Sequence, residues 1–218
     1  MIDLHTHTLL SDGLLLPSEL IRRAHVKGYR AIAITDHVDD SNIDFVVSRT
    51  VKVCEILSGI WEIEAIPGCE LTHVPLERFD DLIKEAKNLG AKLILVHGET
   101  VSEPVLPGTN RKALESDIDI LAHPGLISLD EAKLASERGI YLEITTRNLH
   151  ASSNGHVVGM AKEAGASLVL NTDAHEAEDL ITLEEATQIA SSVGLDGREI
   201  EAVFKNSANI VEKIKKLS

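Results

Sequence analysis

Residues 2–7 read Ile-Asp-Leu-His-Thr-His, a short apolar strand that runs straight into two imidazoles. In extended backbone, residues i and i+2 face the same side, so His5 and His7 offer two donors in one direction. The pattern recurs along the chain. Ala-Ile-Ala-Ile-Thr-Asp (31–36) runs into His37, Leu-Ile-Leu-Val (93–96) into His97, and Ile-Leu-Ala (120–122) into His123. Glu70 ends a run that starts near residue 62, and Leu-Val-Leu-Asn-Thr (168–172) leads to Asp173 and His175. Asp12 lies in a Ser-Asp-Gly turn just past the first strand.

β-branched runs predict strands at about 2–5, 31–36, 62–70, 92–97, 118–123, 140–145 and 167–173. Amphipathic stretches lie between them. Residues 76–89 place Leu76, Phe79, Leu82, Ile83, Ala86 and Leu89 on one face, and Gly90 stops the helix. Residues 129–138 open on a Ser128/Glu131 capping box and end at Gly139. Residues 17–27 start at Pro17 and end at Gly28, residues 155–164 end at Gly165, and the region from Leu183 reads as helical throughout.

Alternation of strand and helix implies a parallel sheet, whose functional end is the C-terminal end of its strands. Seven strands side by side in an open sheet would hold the outermost ligands more than ~25 Å apart, given a spacing of about 4.8 Å. A closed barrel brings all the strand ends together, so the expected fold is an α/β barrel. No glycine-rich phosphate fingerprint follows the first strand, as a dinucleotide-binding sheet would require. With no repeat or linker, residues 1–218 read as one domain. Gly98 to Asn110, with two prolines and two glycines, reads as a loop over the site.

A chain of 218 residues with 44% hydrophobic residues can bury a sizeable core. Its 3% aromatic content leaves that core to Leu, Ile, Val and Ala. A net charge of −14 argues against a general nucleic-acid surface, which needs a basic patch. No apolar run reaches the roughly 20 residues of a membrane span. Met1 leads through Ile2 straight into Asp3 and His5, leaving no room for a leader, so a cytoplasmic protein is expected. Cys54 and Cys69 lack metal-pair spacing and read as buried free thiols.

A single histidine at a strand end is usually a hydrogen-bonded core residue. Six of them (His5, His7, His37, His97, His123, His175), with Asp12, Glu70 and Asp173 in equivalent places, would be costly to bury unless paired or bound to metal. Imidazole with carboxylate suits divalent Zn, Mn and Fe.

His-Thr-His (5–7), Ser-Asp-Gly (11–13), Thr-Asp-His (35–37), Gly-Cys-Glu (68–70), Val-His-Gly (96–98), Ala-His-Pro-Gly (122–125) and Asn-Thr-Asp-Ala-His (171–175) together resemble the PHP (polymerase and histidinol phosphatase) superfamily. The motifs cover residues 1–175 in order and are specific as a set. The resemblance implies a distorted (β/α)7 barrel, TIM-like, that holds two or three divalent ions. It suggests one ion among His5, His7, Glu70 and Asp173. Glu70 would bridge to a second completed by His97 and His123, and Asp12, His37 and His175 would hold a third. The implied reaction is hydrolysis of a phosphate ester by metal-activated water, with catalysis resting on Glu70 and Asp173 and needing no protein nucleophile.

Other residues carry two readings each. Arg147, past the sixth strand, suits bidentate phosphate binding, or is a loop arginine paired with an acidic neighbour. His150, Asn154 and His156 are candidates for contacting the substrate's leaving group, against structural or exposed roles. Glu143 is either a partner that orients a ligand histidine or a core hydrogen-bonding group, and Asp36 is placed to orient His37. His73 borders the site or serves its loop, and His25 reads as structural. Glu99 and Glu103 repel anions, meet a substrate amine or coordinate nothing.

Three functions compete. A small-molecule phosphomonoesterase similar to histidinol phosphatase fits the acidic, compact chain best. A phosphodiesterase or exonuclease is second, disfavoured for long nucleic acid by the missing basic patch and scarce stacking aromatics. A non-catalytic metal-binding or proofreading module is third.

Overall fold

A computed structural model describes residues 1–217. Its strand segments are β1 (Ile2–Asp3), β2 (Ala31–Ile34), β3 (His37–Val38), β4 (Glu64–Leu71), β5 (Leu93–His97), β6 (Ile120–Ala122), β7 (Tyr141–Thr145) and β8 (Leu168–Asn171). They pair in parallel in the order β1-β2-β4-β5-β6-β7-β8, with β3 also on β4. β3 continues β2: Ile34 pairs with Pro67 and His37 with Glu70, one register interrupted at Thr35–Asp36. The expected strand 31–36 is thus two segments of one stave. A parallel bridge between Thr6 and Ala174 joins the first stave to the last. There the His7 amide donates to the Ala174 carbonyl at 2.8 Å, and the Asp173 amide to the His5 carbonyl at 2.9 Å. The result is a distorted, nearly closed parallel barrel of seven staves.

Parallel strands covered on both faces must be apolar on both, and every residue of β2, β5, β6 and β8 is buried. Alternate side chains divide between two cores. Leu4, Ala31, Ala33, Ile66, Leu93, Leu95, Ile120 and Val169 fill the barrel. Ile94, Val96, Leu121, Leu142, Ile144 and Leu170 face the surrounding helices. Each fully buried Leu, Ile or Val contributes about 1.5–3 kcal/mol relative to exposure. Ile210, Val211 and Ile214 of the last helix join the barrel core. They close the end opposite the strand-end histidines.

The helices are α1 (Pro17–Val26), α2 (Ile43–Ser58), α3 (Phe79–Asn88), α4 (Thr109–Glu115), α5 (Leu129–Arg138), α6 (Asn154–Ala164), α7 (Leu183–Ser192) and α8 (Gly197–Leu217). The Ser128/Glu131 capping box forms as expected. Residues 76–89 begin as a 3-10 turn at Leu76–Arg78 before α3. The C-terminal region is two helices, broken at Gly194, where φ is +96°. α2 has no counterpart in the sequence reading. It carries Val46, Val47, Thr50, Val51 and Val53, β-branched residues of modest helix propensity, and is held by burying Val46, Val47, Thr50 and Cys54. Among the described residues no helix is long and apolar enough to cross a membrane.

Candidate metal centre

The barrel's inner rows lead to the site. Ile66, Gly68 and Glu70 lie on one row, as do Leu93, Leu95 and His97, and Val169, Asn171 and Asp173. Strand alternation therefore turns Glu70, His97 and Asp173 into the mouth of the barrel. His123 has the opposite parity to Ile120 and reaches the same space through a left-handed backbone, φ +28°. Asp173 is also left-handed, φ +55°. Such conformations cost of order 1–3 kcal/mol and gather at functional sites. The motif glycine of 122–125 has a steric reason as well. At Gly125, φ +61°, a Cβ would lie 1.9 Å from the Glu99 carbonyl oxygen.

Glu70 and Asp173 sit at the centre, ringed by histidines. Glu70 Oε2 lies 3.4 Å from His5 Nε2, 3.7 Å from His7 Nε2 and 2.7 Å from His37 Nδ1, while Oε1 lies 3.5 Å from His123 Nε2. Asp173 Oδ1 is 3.1 Å from His7 Nε2 and 3.7 Å from His5 Nε2. His5, His7, Glu70, His123 and Asp173 are fully buried or nearly so, while His37 is partly exposed. Yet His5 Nε2, both ring nitrogens of His7, both oxygens of Glu70 and His123 Nδ1 lack any aligned hydrogen-bond partner. A buried polar atom left unpaired costs about 1–3 kcal/mol, and native interiors carry few. Donors that crowd together without bonding one another fit a shared cation.

Two further groups flank it. His7, Asp12, His37 and His175 form one, each offering a ligand atom within 4.8 Å of the others. Asp12 Oδ1 is 3.2 Å from His175 Nε2 and 3.6 Å from His37 Nε2. His97, His123 and His150 form the other.

Outer contacts orient the rings. Glu143 Oε1 is 2.9 Å from His5 Nδ1 and accepts from Asn171 Nδ2 at 2.7 Å, and its Oε2 accepts from the His123 amide. His37 Nδ1 sits 2.7 Å from Thr72 Oγ1, and the rings of His97 and His175 bond to the carbonyls of Gly98 and Asp173. Such partners leave the other nitrogen free for a metal. Asp36 does not orient His37; it accepts from the Thr8 amide and hydroxyl and from Ser11 Oγ, and so braces the turn that carries Asp12.

Charge follows the geometry. Burial alone would lower the His5 pKa, but Glu143, Glu70 and Asp173 outweigh it and raise it well above the ordinary value. Burial, with His37 and His5 nearby, pushes His7 well below it. Burial would raise Glu70, yet His5, His37 and His123 hold it well below the usual carboxylate range. Burial dominates at Asp173 and raises it.

The nine residues of the resemblance thus converge on one end of the barrel, and the remaining candidates divide. Arg147 lines a cavity of about 600 Å³ beside the histidines, together with Glu103, His150 and Glu178. Its Nη1 donates to Asp179 Oδ2 at 3.1 Å, so the acidic-neighbour pairing exists. His156 is turned away on α6, with Nε2 bonded to the Ile127 carbonyl at 2.7 Å. Asn154 ties α6 to β7 through both backbone groups of Thr145. His25, on α1, meets Arg22. Glu99 accepts from the Gly108 and Asn110 amides and closes the base of the 98–110 loop.

Glu103, at the loop's tip, comes 3.3 Å from both His97 Nε2 and His73 Nε2 and 3.5 Å from His150 Nε2. Its hydrogen bond to His97 holds it down at about 2. Glu103 follows no strand and matches no motif, so no local signal marks this role.

A family model described as the PHP domain matches residues 3–102. An uncharacterized protein of Methanocaldococcus jannaschii is 47% identical over 201 residues, covering 91% of this chain and 92% of its own length. A probable phosphatase of Shewanella frigidimarina is 28% identical over 221 residues, covering 89% and 85%. Two solved structures share the fold. A chain in a cryo-EM structure of archaeal ribonuclease P with mature tRNA has TM-score 0.76 at 17% identity, covering 100% of this chain and 92% of that one. Histidinol phosphate phosphatase of Lactococcus lactis, crystallised with zinc, L-histidinol and phosphate, has TM-score 0.62 at 15% identity, covering 89% and 94%. Motifs, barrel and relatives agree: the chain belongs to the PHP superfamily of phosphoesterases.

Proposed function

We propose that this protein hydrolyses phosphomonoesters of small molecules and depends for it on two or three divalent ions (Zn, Mn or Fe) held at the mouth of the barrel. The observation that carries the reading is the set of buried donor atoms of His5, His7, Glu70 and His123 that no protein group satisfies. Divalent ions there would supply a water acidic enough to act as nucleophile and positive charge for the phosphoryl oxygens.

The chain's own residues do the rest. His5, His7, Glu70 and Asp173 form the central cradle, and Asp12, His37 and His175 the outer one. Glu70 presents one oxygen to His5, His7 and His37 and the other to His123, the disposition of a bridging carboxylate. Glu143 keeps the His5 ring fixed. Arg147, free on the faces not used by Asp179, is the group suited to grip a phosphate oxygen.

The adjoining cavity, about 600 Å³, is in the range that encloses a small ligand. A net charge of −14 disfavours long nucleic acid as substrate. The test is turnover of a panel of sugar phosphates, histidinol phosphate, nucleotides and short oligonucleotides, with Mn or Zn and with chelator. Metal-dependent turnover of monoesters supports the reading. Preference for oligonucleotides moves the protein to the exonuclease class, and no turnover of any member overturns the enzymatic reading.

A further inference from the structure

Beyond the nine residues that the family motifs supply, His150 and Glu103 stand against His97 and His123. We infer that His150 is a protein ligand of the ion held by His97 and His123, and that Glu103 is a second, displaceable one. This rests on the proposed metal dependence.

The ligand nitrogen of His150 falls within 4.8 Å of those of His97 and His123. Its ring stacks on His123 at 4.4 Å between centroids and meets His97 edge-on at 5.9 Å. The ring is fixed from behind, since Nδ1 is 2.7 Å from Thr100 Oγ1 and 3.0 Å from Ser102 Oγ. Nε2 is thereby directed inward, toward Glu103 Oε1 at 3.5 Å. One nitrogen held by protein hydroxyls and the other facing a cluster of donors is the usual arrangement of a metal-binding histidine.

Glu103 differs in its support. It stands on the 98–110 loop with 37% of its side chain exposed, and its two oxygens reach His97, His73 and His150. With Glu70, whose Oε1 lies 3.5 Å from His123 Nε2, these groups make a set of three imidazoles and two carboxylates, donors that suit zinc-like ions. A saturated set of that kind leaves no position for substrate. The exposed carboxylate, not a buried imidazole, is the ligand that can give way.

The test is titration of the chelated protein with Co²⁺ alone, read as equivalents bound, as affinity against a competing chelator and as the visible Co²⁺ absorption. His150→Ala should weaken one equivalent by roughly tenfold to a hundredfold and remove part of the absorption. Glu103→Gln should shift the absorption with a smaller loss of affinity. His150→Gln, which keeps a partner for Thr100 and Ser102, should behave as His150→Ala and serves if the alanine variant folds poorly. His156→Ala should bind as the unsubstituted protein does. Equal stoichiometry, affinity and absorption in the His150 variants would overturn the assignment while leaving metal dependence intact. Failure of the unsubstituted protein to bind Co²⁺ would instead remove both.

Discussion

Glu143 and His5 are locked together by a 2.9 Å contact between Oε1 and Nδ1, both side chains fully buried. The same carboxylate also accepts from Asn171 Nδ2 and the His123 amide, so one residue braces two candidate ligand histidines. Glu143→Ala should reduce metal affinity roughly tenfold to a hundredfold, measured by competition with a chelator. Unchanged affinity would make Glu143 a core hydrogen-bonding group only.

Glu70→Gln should cut kcat severely while the fold persists, because an amide cannot present two anionic oxygens to opposite sides of the cluster. Circular dichroism and metal content on the same samples separate loss of chemistry from loss of structure. Near-normal turnover in a fully metallated variant would exclude Glu70 as the bridge.

The pH dependence has a definite sign. His5 has a folded-state pKa well above its unfolded value of about 6.5. The stabilisation from its protonated form is complete below that unfolded value and is lost as pH rises through the folded one. A divalent ion needs the same ring deprotonated, so it competes with that proton. Metal-free protein therefore weakens as metal binding strengthens. At fixed metal, the Tm gap between loaded and chelated protein should widen from about pH 6 to about pH 8. A gap that narrows would show that the cation is bound elsewhere.

Arg147 contacts Asp179 Oδ2, which also accepts from the amides of His175 and Glu176. The pair is about a third exposed, so it adds little to stability. If Arg147 grips phosphate, Arg147→Ala should lower kcat/KM roughly ten- to hundredfold, about 1.5–3 kcal/mol, with metal retained. Arg147→Lys should recover part of that, since an ammonium cannot make the paired contact. Unchanged kcat/KM would leave phosphate recognition to the metals.

Cys54 and Cys69 are free and buried. Burial pushes the Cys69 thiol up to about 12 and raises Cys54 as well. Native protein should react slowly with a disulfide reagent near pH 8, and both thiols should titrate only after denaturation. Rapid labelling of the native protein would reveal local opening around α2 or β4.

Most of the staves and the nine candidate ligand positions were legible in the chain alone. A parallel strand buried on both faces is written as a local apolar run, and a ligand at its end is the next residue along, so Leu93–His97 and Leu168–His175 could be read directly. Local signals also marked α5, through the Ser128/Glu131 box. The tertiary structure decided what no local signal records. α2 is a helix because Val46, Val47 and Cys54 find a core to pack against, despite their local preference. His123 enters the site only because a left-handed residue reverses the parity of β6. His150 and Glu103 reach the site from segments after β7 and β5, and closure of the barrel brings those loops to one mouth. Contacts across a barrel depend on which staves become neighbours, a property of the closed sheet and not of any window of sequence.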